Sequence, residues 1–133
     1  MGKSSEMRIF DTPASRTPQV HLLSNGRYHV TITNAGGGYS RWRDLAVTRW
    51  REDATRDCWG AFIYLRDPAT GEFWSVAYQP TLRPTEHYEV IFAGARAEYR
   101  QRQGDLEKIS VRSIPPPQRS RCKGLVIRKS SRR

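Results

Sequence analysis

Three consecutive glycines, Gly36 to Gly38, cut off a run of strict alternation, and no other feature restricts the fold as much. Over Arg27 to Thr33, Tyr28, Val30 and Ile32 fall on one side and His29, Thr31 and Thr33 on the other. Period two with β-branched residues predicts a half-buried strand. Asn34-Ala35-Gly36-Gly37-Gly38 must then end it. A glycine triplet after a strand can cradle a phosphate, but this one lacks the GK[ST] ending of a P-loop and the GxGxxG spacing of a dinucleotide fold. No helical pattern follows it either. It predicts a loop that needs positive φ or close backbone approach.

The rest of the chain reads the same way. Residues 1–19 are polar, carry Pro13 and Pro18, and read as a lead-in rather than core. Val20 to Leu23 is a short apolar run before a Ser24-Asn25-Gly26 turn. Tyr39 to Arg51 reads as extended, broken near Asp44, with Trp42 and Trp50 on one face. Glu52 to Asp57 is a polar loop. Ala61 to Arg66 and Phe73 to Gln79, joined by Asp67-Pro68-Ala69-Thr70-Gly71, predict a hairpin. Tyr88 to Phe92 and Arg96 to Arg102 predict a second antiparallel pair, followed by a turn at Gln103-Gly104-Asp105. Nothing up to Glu107 sustains a helical period. Many short strands spaced by turns predict an all-β antiparallel sandwich over residues 20–107.

Charge divides the chain at residue 108. The net charge is +10, but nine Lys and Arg and no acid lie in residues 108–133, which leaves the body at +1. With Pro115, Pro116 and Pro117 inside it, this segment predicts an irregular basic tail. A basic tail beside many aromatics allows one alternative, a free-standing module that binds nucleic acid by counterion release. No apolar run approaches the roughly 20 residues that cross a bilayer, and Met1 to Phe10 has no signal-peptide core. Cys58 and Cys122 lack CxxC spacing, which fits a reducing compartment and leads us to expect the cytoplasm.

Catalysis finds no constellation to work with. His21, His29 and His87 have no metal-ligand spacing, no GxSxG occurs, and neither cysteine sits in a nucleophile motif. We therefore expect no catalytic residue, metal or cofactor in this chain. Binding is the better expectation. Trp42, Trp50, Trp59, Trp74, Tyr39, Tyr64 and Tyr78 supply flat faces, and neighbouring Arg and Asp residues supply planar hydrogen-bonding groups. That combination suits sugar rings or single-stranded nucleic acid, although several of the Trp side chains can equally be core.

The ordered run NAGGGYSRW, DLAVTRWRED, YLRD and WSVAYQP, continued by YEVIFAGARAEYRQRQGDLE, resembles the phosphorylase-type region of bacterial cyclic β-1,2-glucan synthases. These belong with the cellobiose and chitobiose phosphorylases of glycoside hydrolase family 94, formerly glycosyltransferase family 36. The resemblance runs from about Val20 to Glu107. It implies a galactose-mutarotase-like supersandwich that precedes an (α/α)6 barrel in a longer enzyme, often dimeric and, for the synthases, associated with the inner membrane. The barrel carries the general acid and phosphate site, so no residue here inherits those roles. The resemblance suggests that Tyr39, Arg41, Trp42, Asp44, Arg49 and Trp50 face either a β-glucan or the catalytic barrel. The family's sandwich continues past Gly104-Asp105-Leu106-Glu107 with further strands. The charge step at Lys108 is instead the pattern of out-of-frame translation, which leads us to expect an incomplete sandwich and a non-native residues 108–133.

Overall fold

The computed structural model describes residues 6–48, 58–113 and 122–129. The described residues are all β, and every strand pairing is antiparallel. In chain order the strands are β1 (Arg8–Phe10), β2 (Val20–Ser24), β3 (Tyr28–Thr33), β4 (Gly38–Trp42), β5 (Leu45–Ala46), β6 (Tyr64–Arg66), β7 (Phe73–Ser75), β8 (His87–Ala93), β9 (Arg96–Gln103), β10 (Leu106–Ser113) and β11 (Cys122–Lys129). One sheet has the order β1-β8-β9-β10-β11, a second the order β2-β3-β4-β5, and β6-β7 forms a separate hairpin.

Local chemistry sets the turns. Between β2 and β3 the Asn25 side-chain oxygen accepts from the backbone N–H of Arg27 (3.1 Å) and Tyr28 (2.8 Å), holding the expected Asn-Gly turn. In the β6–β7 hairpin Asp67 does the same for Ala69 N–H at 2.8 Å, and Gly71 N–H closes onto the Asp67 carbonyl at 2.8 Å. This hairpin is shorter than the alternation suggests. Val76 N–H still donates to Ile63 O at 2.9 Å, but residues 61–62 and 77–79 leave the ladder, with Val76 and Ala77 buried in the core.

The core is a seam between the two larger sheets. Ile32 from β3 meets Tyr88, Val90 and Phe92 from β8 and Ala97 and Tyr99 from β9, with Ala77 beneath them. Two buried phenols cross the seam. Tyr99 donates to the Thr33 carbonyl and Tyr88 to the Asn34 carbonyl, each at 2.5 Å. Asn34 is itself a hub: its side chain donates to Thr12 O (2.9 Å) and Ser15 Oγ (3.0 Å) and accepts from Gln19 N–H (3.0 Å). The glycine triplet then passes close to other backbone, as the sequence predicts. Gly38 has φ +145°, and its N–H donates to Trp59 O at 2.6 Å. At Gly36 (φ +95°) an added Cβ would lie 2.3 Å from Ala77 Cβ. The triplet serves chain crossing, not phosphate.

His21 adds a third tie between the layers. Its ring stacks on Phe92 at 4.9 Å and 8°. Nε2–H donates to Gly94 O (3.1 Å) while Nδ1 accepts from the Arg8 guanidinium (3.2 Å), an arrangement of neutral imidazole. Burial pushes its pKa below the ordinary value, with the nearby Arg8 charge acting the same way.

Two sequence expectations change. Residues 8–10, expected in a lead-in, form edge strand β1 against β8; three residues are too few to display alternation. The boundary expected at 107 is not one, because β10 runs through it and pairs with β9 along its whole length and with β11 beyond. Charge concealed a strand there. Lys108 and Ser110 are buried on the inner face, which the half-buried Arg112 shares, while Ile109 and Val111 take the other, so the alternation is present with its polar phase inward.

Lys108 is the clearest result of that inversion. It is 1% exposed, its ammonium lies 5.1 Å from the Trp74 ring centroid, and it donates to Gln101 Oε1 at 3.3 Å. Burial, helped by the Arg83 charge, lowers its pKa from 10.5 to about 8. A lowered lysine pKa means that the folded state releases this proton before the unfolded chain does. The penalty is therefore whole below pH 8 and is relieved as pH rises from 8 towards 10.5. Lys108→Met should raise stability near neutral pH by about 1–3 kcal/mol and remove the rise in stability between those pH values. Urea titrations of both proteins across that range check it; a parallel pH dependence in the two would count against the buried charge.

Candidate functional site

The expected site residues divide along β4 and β5. In the ladder Tyr39 pairs with Thr31, Arg41 with His29 and Ala46, and Trp42 with Tyr28 and Leu45. Strand alternation therefore puts Tyr39 and Arg41 on one face and Ser40 and Trp42 on the other. Arg43 takes φ +52° to turn the chain into β5, anchored by its N–H to Arg27 O at 2.8 Å, and Asp44 occupies the same turn. The Arg43 guanidinium lies 4.9 Å from the Trp42 ring centroid. Trp42 is 44% exposed, and Arg41 and Asp44 are exposed as well. Tyr39 is half-buried. Arg49 and Trp50 lie outside the described residues. An edge with a tryptophan face, a guanidinium and a carboxylate can stack on a ring and hydrogen-bond its rim, but the four described residues do not form one cup.

A cavity of about 170 Å³ opens beside this edge. Tyr28, Tyr39, Ser40 and Thr48 contribute polar groups, Leu23, Val30 and Val47 apolar ones, and β10 sends in Arg112. Sequence reasoning missed Arg112, which it placed in a tail. The Lys108-Ser110-Arg112 spacing was the available signal.

The other tryptophans sort by burial. Trp74 is half-buried under Arg83 (5.7 Å to the ring centroid) and Lys108, and Arg83 in turn pairs with Glu72 at 3.2 Å. Its ring is packed by these cations and also lines a second cavity of about 550 Å³ with Asp67, Glu72 and Asp105. Trp59 is half-buried and serves the Gly38 crossing through its carbonyl.

Comparison with known proteins agrees with this architecture. The model of the glycosyl hydrolase 94 supersandwich domain matches residues 3–133. The cyclic beta-(1,2)-glucan synthase NdvB of Rhizobium meliloti is 41% identical over 101 residues, which is 76% of this chain and 4% of that protein. An N,N'-diacetylchitobiose phosphorylase of Vibrio furnissii is 36% identical over 95 residues, 68% of this chain and 12% of the relative. A second, from Vibrio proteolyticus, is 34% identical over 76 residues, 55% of this chain and 9% of the relative. This chain thus spans a small part of each of these proteins. The match takes in β10 and β11 as well as the strands before them, and the chain belongs to the glycosyl hydrolase 94 supersandwich family.

Proposed function

We propose that this chain is the sandwich portion of an enzyme that builds or phosphorolytically cleaves β-linked glycans, and that its β4–β5 edge contacts the glycan or the catalytic domain. Family membership together with the exposed Trp42 carries this reading. The two kinds of relative are named for a cyclic β-1,2-glucan and for a chitobiose; both are β-linked sugars with an apolar ring face and polar edges. A tryptophan nearly half-exposed at a strand end, steadied by Arg43, is suited to such a face. Of the basic residues that prompted a nucleic-acid alternative, Lys108 is buried and Arg112 lines the cavity beside β4, so neither lends it support.

The test is Trp42→Ala with linear β-1,2-glucan titrated by calorimetry or NMR. Affinity should fall about tenfold, the loss of one stacking contact worth roughly 1.5 kcal/mol, while the unfolding midpoint stays within a few degrees. Equal glucan affinity in the two proteins would move the contact away from this edge. No glucan binding by either protein would leave docking to the catalytic domain, measured by the same substitution in the longer enzyme.

A further inference from the structure

The cavity beside β4 holds a cation that has no counter-charge among the described residues. Arg112 enters it from β10, and its Nε is shut off from solvent without a hydrogen-bond partner among the described residues. The guanidinium leans on the Tyr99 ring at 5.7 Å, a contact with a π face that leaves the N–H edge unused. Among the described residues no Asp or Glu lines the cavity. Burial pushes the Arg112 pKa below the ordinary guanidinium value, with Tyr99 and Tyr88 acting against it. A buried guanidinium left unpaired is among the costliest arrangements a fold can retain. Around it stand the hydroxyl-bearing Ser40, Thr48 and Ser113, and the rim residue Val47 is 46% exposed, so the space reaches the surface.

We infer that this cavity is an oxyanion site in which the edge of Arg112 receives a carboxylate or phosphate group. The ligand class follows from the donors. A guanidinium only donates and presents a planar fork that matches two oxygens of one anion. A neutral sugar hydroxyl would bring a proton that needs its own acceptor and would leave the charge uncompensated. The inference is independent of glucan contact at the strand edge, and either can fail alone.

The probes are sodium phosphate, sodium acetate, sodium chloride and glucose, titrated at constant ionic strength into the full chain. The readout is the Arg112 side-chain Nε–Hε NMR signal, assigned by its loss in Arg112→Gln. Phosphate or acetate should shift the signal saturably and chloride should not. Saturation by phosphate alone assigns the site to a phosphate-bearing solute, and saturation by acetate as well assigns it to a carboxylate. Val47→Phe, which narrows the rim and leaves Arg112 in place, should weaken the binding at least about tenfold. It also gives a readout should Arg112→Gln fail to fold. A signal that moves only with ionic strength, or with glucose and not with either oxyanion, would overturn the inference.

Discussion

Gly38→Ala should leave little folded protein at room temperature. Its Cβ would be placed 2.0 Å from the Thr31 carbonyl oxygen and 3.0 Å from Ile32 Cα, both backbone atoms of the adjacent strand β3. Neither can yield as a flexible side chain would. The backbone at Gly38 also has φ +145°, a conformation that L residues rarely adopt. Strain of this type costs about 1–3 kcal/mol by itself, and relieving the clash means parting β3 from β4, so we expect a total above about 4 kcal/mol. That is most of the roughly 5–15 kcal/mol that holds a domain together. Gly26→Ala is the control. Its φ is +87°, but nothing lies within 4 Å of the added Cβ, so only the conformational cost remains. Urea unfolding followed by tryptophan fluorescence compares the two. A Gly38→Ala protein within about 1 kcal/mol of the parent would show that the β3–β4 approach is looser than described here.

Phe92→Ala should cost about 3–5 kcal/mol, the range for emptying a buried aromatic site. Phe92 is 0% exposed and stands where three elements meet. Phe10 of β1 packs edge-to-face on it at 5.5 Å and 62°, His21 of β2 stacks on it, and the Arg8 guanidinium lies 5.5 Å from its ring centroid. Truncation removes the surface that holds β1 to the sheet and β2 to β8, so the loss should exceed that of an isolated core residue. Phe73, on the β6–β7 hairpin, is 58% exposed and supplies the contrast. Phe73→Ala should stay within about 0.5 kcal/mol. Equal effects at the two positions, measured by thermal and urea unfolding, would mean that the core seam does not dominate the stability.

Legibility in the sequence followed how local the determining physics was. Alternation over Tyr28 to Thr33, the Asn25-Gly26 turn and the Asp67 hairpin depend on neighbours within a few residues, and each appears in the structure, the hairpin with strands three to four residues shorter than expected. The glycine triplet was readable as a close approach, but its partners, Thr31, Ala77 and Trp59, were not, because they are set by the packing of two sheets. β1 was missed because its evidence is a partner strand about eighty residues away. β10 was missed for a different reason. Summed charge is blind to phase, and Lys108, Ser110 and Arg112 keep period two while reversing the usual assignment of polar residues to the outside. The site divides likewise. Trp42, Arg41 and Asp44 were legible as candidate contact groups and are exposed, whereas Arg112 reaches the same region only through the order of strands in the far sheet.

The two phenols that cross the seam restrict how this molecule can deform. Tyr99 and Tyr88 hold consecutive carbonyls, those of Thr33 and Asn34, at the very end of β3. Sliding one layer along the other by a residue would carry both oxygens out of reach together. Shear is therefore blocked at that end. The layers can part only as the covers of a book do, with Thr33 and Asn34 as the spine and the opening at the far ends of the strands. The cavity that holds Arg112 is lined by Tyr28, Val30 and Thr31 of β3 and by Gly38 and Gly60 of the glycine crossing, so such an opening would widen it at the crossing itself.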